Sequence, residues 1–241
     1  MKRISLITIA AMLLLAIGAL HAAAPTGRTP YNKPDMEKLK AEVTNPDSKY
    51  YYPRLFERYQ LNETVMNLED YRHLYLGAMF QEDFNPYRHG ANDKKIEQLY
   101  YKENHTTAEL DTIIAYAEEA LTDDPFDLSQ INYLIFALRQ RGKNNRAAIW
   151  QYRLNHLLEA ILSTGTGLTA EDAWIVTDPK HEYCLINFQR AVAEKSEFKA
   201  PYYEYVTLKA QPEQKEGRPE GYYFNIRYLL DEYYRKHPDQ R

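Results

Sequence analysis

At 241 residues, with 44% hydrophobic and 27% charged side chains, the chain can bury a core, and wholesale disorder and fibrous repeats are excluded. Thirty Lys and Arg against 34 Asp and Glu give a net charge of −4 at pH 7, which argues against broad nucleic-acid binding, since that needs a clustered excess of cations. Only tyrosine departs from average usage, with 22 copies.

The first 22 residues read as a cleavable signal peptide. Lys2 and Arg3 precede an uncharged apolar run from Ile4 to Leu20, and His21, Ala22, Ala23 and Ala24 supply the small-residue exit, with cleavage expected after Ala22. The alternative is an uncleaved anchor, because the run approaches the ~17 residues a membrane span needs. Loss of the leader moves the net charge from −4 to −6, since it carries two cations and no acid. Residues 23–33 read as a flexible lead-in. The chain has one cysteine, Cys184, so no internal disulfide is expected despite export.

Residues 34–164 read as helical. Pro34 opens a short helix over Asp35–Val43. A second runs from Asn67 to Gln81, with Leu68, Tyr71, Leu74, Tyr75, Ala78 and Met79 on one face. A third spans Asp93–Glu103. Thr106 and Glu109 make a capping box ahead of Leu110, Ile113, Ile114, Ala117 and Leu121. Asp127 caps the next helix, whose stripe is Leu128, Ile131, Leu134, Ile135 and Leu138, and Gly142 ends it. Asn145–Leu162 follows. Short connections make these antiparallel neighbours. Ala117–Leu121 before Pro125, and Gly142 before Ala147, resemble degenerate tetratricopeptide-type pairing.

Residues 165–241 change character. Strands are expected over Ala173–Thr177 and Glu182–Phe188, joined by a turn at Asp178–His181, and again over Tyr202–Leu208 and Tyr222–Ile226. Gln211–Gly221 reads as a long loop, and Arg227–Lys236 as a closing helix. In a strand, Cys184 is a small buried hydrophobe. The expected fold class is α+β, with antiparallel helical hairpins, a small antiparallel sheet and a C-terminal helix.

The chain carries no complete catalytic or cofactor motif. Gly165–Thr166–Gly167 follows a helix and precedes a strand, the reverse of a phosphate cradle. The seven His form no pair four residues apart, and His89, Asp93 and His105 read as solvated surface, so no metal and no cofactor are expected. Glu82–Asp83 and Asp123–Asp124 are sequence neighbours, unlike the opposed acids of a glycosidase, and Asp123–Asp124 reads as the start of a turn into Pro125. No residue is assigned a catalytic role. The segment that concentrates polar chemistry is the inter-helix loop Gln81–His89, with Glu82, Asp83, Asn85, Tyr87, Arg88 and His89 as a candidate cluster. It is either a site on a rigid scaffold or a set of side chains satisfying two helix ends. Arg139, Arg141, Lys143 and Arg146 form a basic corner around Gly142. The tyrosine clusters invite a peptide- or carbohydrate-binding reading, with half-buried packing as the alternative. Two glycosylation sequons, at Asn62 and Asn104, matter only in a host with that machinery.

The run YYPRLFERYQLNETVMNLEDYRHLYLGAMFQEDFNPY from Tyr51 to Tyr87, with HEYCLINF and GYYFNI near the end, resembles a family of exported bacterial proteins, domain of unknown function 4919. The resemblance implies a Gram-negative envelope protein of helical-repeat character and supplies no catalytic residues. The sequence therefore leads to an exported, non-catalytic scaffold or binding protein with a protein, peptide or glycan partner, no nucleic acid and no membrane span once the leader is removed. The rival is an envelope hydrolase with a site near Glu82, Asp83 and His89. A deep pocket where acids with shifted titration converge would favour the enzyme, and a shallow aromatic groove would favour binding.

Overall fold

The computed structural model describes residues 31–210 and 218–240. The expected signal peptide, residues 23–30 of the expected lead-in and residues 211–217 of the Gln211–Gly221 loop lie outside those residues. The described residues contain nine α-helices and four strands, an α+β arrangement within a single unit, Tyr31–Arg241.

Helix α1 (Met36–Thr44) starts where Asp35 accepts from Lys38 N at 3.0 Å, and it buries Met36, Leu39 and Val43. Helix α2 (Tyr52–Gln60) is an element that the sequence reading lacked. Leu55 and Tyr59 are four apart, as are Tyr52 and Phe56, so aromatic rings carry its inward face. Helix α3 (Leu68–Gly77) has a full capping box, with Asn67 and Asp70 each accepting from the other's backbone N–H at 3.1 Å. It is the central rod, buried continuously from Asp70 to Gly77, and a 3-10 turn over Ala78–Phe80 extends it. Gly77 is required by close approach, because a Cβ there would stand 2.9 Å from Val43 Cγ1 of α1.

Helix α4 (Asp93–Tyr100) leads to α5 (Thr107–Asp123), α6 (Leu128–Gln140) and α7 (Asn144–Leu162). These last three pack in sequence, α5 on α6 and α6 on α7, and α3 also packs on α7. The Thr106–Glu109 box forms as expected; such a cap is worth about 1 kcal/mol. Buried Arg153 of α7 donates to the Tyr59 and Gln60 carbonyls at 2.9 and 3.0 Å, and its guanidinium lies between the Tyr59 and Trp150 rings. It thus satisfies the end of α2 with a cation where the helix dipole favours one.

The sheet is mixed. Strand order is β1 (Trp174–Ile175), β4 (Gly221–Asn225), β3 (Tyr203–Leu208), β2 (Ala193–Lys199), with β1 parallel to β4 and the other pairs antiparallel. Two expectations are corrected here. The segment Glu182–Phe188 is not a strand but part of helix α8 (Lys180–Phe188), and the all-antiparallel sheet gains a parallel edge. The turn that was to join two strands instead starts a helix: Asp178 Oδ1 accepts from Lys180 N at 2.7 Å, and the Asp178 carbonyl accepts from His181 N at 3.0 Å. His181 and Glu182 then fall four residues before Leu185 and Ile186, and all four are buried on one face. Burial at helical spacing overrides the β preference of Tyr183 and Ile186. Strand β2 (sequence AEKSEFK) was missed because an outer strand with little to bury need not alternate.

Trp174 anchors β1. Its ring meets Tyr222 and Phe224 of β4, and Nε1 donates to the Gly165 carbonyl at 3.0 Å. Gly167 takes φ +70° with its Cα against that indole ring, so the Gly165–Gly167 segment is a turn shaped around tryptophan. Helix α9 (Arg227–Lys236) returns to the helical body, where Glu232 accepts from Lys40 Nζ of α1 at 2.6 Å. No helix among the described residues is long and apolar enough to cross a membrane.

Candidate functional site

Three connections meet at one end of the helical body: the loop 81–90 after α3, the α5–α6 turn at 124–127, and the β1–α8 junction at 176–179. Between them lies an open cleft, with Tyr52, Asp83, Arg88, Asp124, Phe126, Thr177, Asp178 and His181 on its walls. A smaller hollow adjoins it, walled by His89, Asp93, Asp127 and Lys180.

The back wall is a hydrogen-bonded chain that starts on α3. Tyr75, fully buried, accepts from Thr177 N at 3.1 Å, and its Oη is 2.7 Å from His181 Nδ1. The Thr177 hydroxyl also bonds the phenol; with both Thr177 donors on its oxygen, the phenol donates to His181 Nδ1, and in that arrangement the His181 proton sits on Nε2. That Nε2 is buried and has no partner among the described residues, although His181 is only 2% exposed and lies in the cleft wall. A buried donor left unmade costs free energy.

The floor is acidic. Asp127 caps α6 by accepting from Ser129 N and Gln130 N, and its other oxygen takes Lys180 Nζ at 3.1 Å. Asp178 lies 3.3 Å from the same ammonium. Burial opposes the Lys180 charge, but Asp127 and Asp178 outweigh it and hold the amine protonated above its ordinary range. Asp124 is half-buried; burial first, and then the Asp127 charge, raise its carboxyl above the usual range against the lowering pull of His181 and Lys180. The Tyr52 phenol is likewise pushed up, by burial and then by Asp83 and Asp124.

The six residues of the candidate cluster part company. Asp83, Asn85 and Arg88 line the cleft. Arg88 holds the loop in shape by donating to the Asp83 carbonyl at 2.8 Å and to the Asp123 carbonyl, and Asn85 Oδ1 takes Tyr87 N at 3.0 Å. His89 is exposed on the smaller hollow. Glu82 is exposed and lines neither, and Tyr87 turns away to meet the Tyr233 ring of α9 edge-on. Lys236 clamps the loop from the α9 side, over the Phe84 ring at 5.1 Å and bonded to the Gln81 carbonyl.

Other candidate features settle into the scaffold. Arg141 pairs with Asp111, Arg146 with Glu118, and Arg139 with Gln151, so much of the basic corner ties α5, α6 and α7 together. Of the described tyrosines only Tyr31, Tyr87, Tyr101 and Tyr183 are strongly exposed. No group of three or more His, Cys, Asp or Glu among the described residues is placed to hold a metal ion.

A model of the family described as domain of unknown function (DUF4919) matches residues 37–235. The chain belongs to that family. Among curated proteins and among solved structures, nothing matches it. The DUF4919 match runs from the first turn of α1 to the last turn of α9, so every element that builds the cleft lies within it.

The residues of this DUF4919 chain that sequence reasoning missed are Tyr75, Asp178, Lys180 and His181. Tyr75 reads as one more member of an apolar stripe, and Asp178–His181 as an ordinary turn. A signal was present in Asp178-Pro179 ahead of His181 and Glu182, four residues before Leu185 and Ile186, which is the start of a helix with two polar residues on its buried side.

Proposed function

We propose that this DUF4919 protein is exported to the bacterial envelope, periplasmic or secreted after removal of residues 1–22, and that it works there as a binding protein whose cleft takes a polar segment of a peptide or glycan partner. Its α5–α7 array serves as a tetratricopeptide-like scaffold that holds the cleft rigid. The observation that carries this reading is His181 Nε2, a buried donor without a partner in the wall of an open cleft. A second reading, an envelope hydrolase, draws support from one feature: the half-buried Asp124 carboxyl, raised above its ordinary range, shares the cleft with that imidazole. Its site then lies at Asp124 and His181, with Asp83 at the rim.

One experiment separates the two. The mature chain is incubated with a panel of peptides and oligosaccharides, and each is followed by calorimetry and mass spectrometry. A ligand that binds, is recovered intact and is lost on His181→Phe supports the binding protein. A ligand that is recovered cleaved, with cleavage lost on Asp124→Asn, supports the hydrolase. Fractionation with N-terminal sequencing tests export: a start at Ala23 in the periplasm or medium is expected, and a cytoplasmic, uncleaved chain would refute it.

A further inference from the structure

Resting on the cleft as the binding site, we infer that it selects a cationic side chain, the lysine or arginine of a peptide, with the ammonium or guanidinium at Asp124 and the neighbouring peptide carbonyl accepting from His181 Nε2. Charge favours this first. Around the cleft and its adjoining hollow stand Asp83, Asp93, Asp123, Asp124, Asp127 and Asp178, against Arg88, Lys180 and the nearby Lys236. Lys180 is spent on Asp127 and Asp178, Arg88 on the Asp83 and Asp123 carbonyls, and Lys236 on those of Met79 and Gln81. Asp83, Asp123 and Asp124 form no ion pair with the described residues. A phosphate, sulfate or carboxylate would enter an unfavourable field, whereas a cation would find partners.

Depth decides the kind of cation. Asp83 and Asp123 are exposed at the rim, and Asp124 is half-buried below them. Tyr52, Ala78, Pro86, Pro125 and Phe126 supply apolar wall between the levels. A charge on a methylene stem fits that profile, since the stem lies on the wall while the head reaches Asp124. The aromatic faces suit a cation as well, and Lys236 over Phe84 shows an ammonium already resting on a ring of this loop. His181 Nε2 adds a requirement that a bare polyamine does not meet, because it donates and needs an acceptor oxygen beside the cation. A peptide carbonyl next to a Lys or Arg side chain provides both.

The test uses the mature chain and four probes in calorimetry: acetyl-Gly-Lys-Gly-amide, the same peptide with norleucine in place of lysine, spermidine, and the neutral trisaccharide of N-acetylglucosamine. The lysine peptide should bind at least tenfold more tightly than the norleucine peptide and spermidine, weaken with added salt, and lose at least tenfold in Asp124→Asn. Asp123→Asn, at the exposed rim and thus safe for folding, should cost two- to fivefold. Equal binding of the norleucine peptide overturns the cationic assignment, and equal binding of spermidine overturns the role given to His181. If the trisaccharide alone binds and His181→Phe abolishes it, the cleft stands and the cationic assignment falls. If no probe binds and His181→Phe only stabilises the chain, both fall.

Discussion

Tyr75 and His181 lie 106 positions apart in sequence, and their Oη–Nδ1 distance of 2.7 Å joins the central helix to the start of α8. The same hydroxyl accepts from Thr177 N, so one oxygen orders both the backbone of the β1–α8 junction and the imidazole of the cleft wall. Tyr75→Phe deletes that oxygen and leaves a buried N–H and a ring nitrogen unpaired. A loss of about 1–3 kcal/mol is expected in chemical denaturation. A change below 0.5 kcal/mol would show that the chain of bonds does not hold the junction.

Glu182 is fully buried on α8, where its carboxyl faces the Glu204 carboxyl of β3. Burial first, and then the Glu204 carboxylate of β3, raise its pKa from 4.5 to about 9. In that range the folded state keeps a proton that the unfolded chain has released, so stability falls as pH rises from about 5 to 9. Glu182→Gln removes this linkage. It should match the wild type at pH 5 and exceed it by roughly 3 kcal/mol at pH 7, seen as a gap in melting temperature that widens with pH. Parallel pH profiles for the two proteins would contradict the assignment.

Gly167 combines φ +70° with an indole ring at its back, where an added Cβ would stand 2.8 Å from Trp174 Cε3. Gly167→Ala therefore meets two penalties, backbone strain and a clash with the residue that anchors β1. An expected cost of about 2 kcal/mol, with a shift in tryptophan fluorescence, separates it from Gly142→Ala, which has φ +70° but open space around it and should cost about 1 kcal/mol.

Cys184 sits on α8 with Sγ 3.3 Å from Ser129 Oγ, and burial pushes its thiol up to about 12. Little thiolate exists at pH 8, so a disulfide reagent should react at least 100-fold more slowly with the native chain than with the chain in urea. Comparable rates would show that the helix opens freely.

The helical half was legible because each rod carries its own instructions: Thr106 and Glu109, or Asp127, mark a start, and the spacing of Leu, Ile and Ala marks a face. Helix α2 escaped because its face is built from Tyr52, Phe56 and Tyr59 separated by charges. The sheet was harder, since pairing is a relation between distant segments and β1 needs only Trp174 and Ile175. The fate of residues 182–188 turned on tertiary burial, because their composition suits strand and helix alike. Of the cleft, the loop 81–89 could be singled out by its density of polar groups, and three of its six candidate residues do line the walls. The other side came from Asp124, Asp178 and His181, which no sequence spacing links to that loop.

Strand β2 forms one border of the sheet and carries Glu194, Lys195, Glu197 and Lys199 within seven residues, while the opposite border, β1, is two residues long. A second molecule seeking to extend the ladder would have to desolvate charges on one side or settle for almost nothing on the other. Neither route to edge-on fibril growth is inviting.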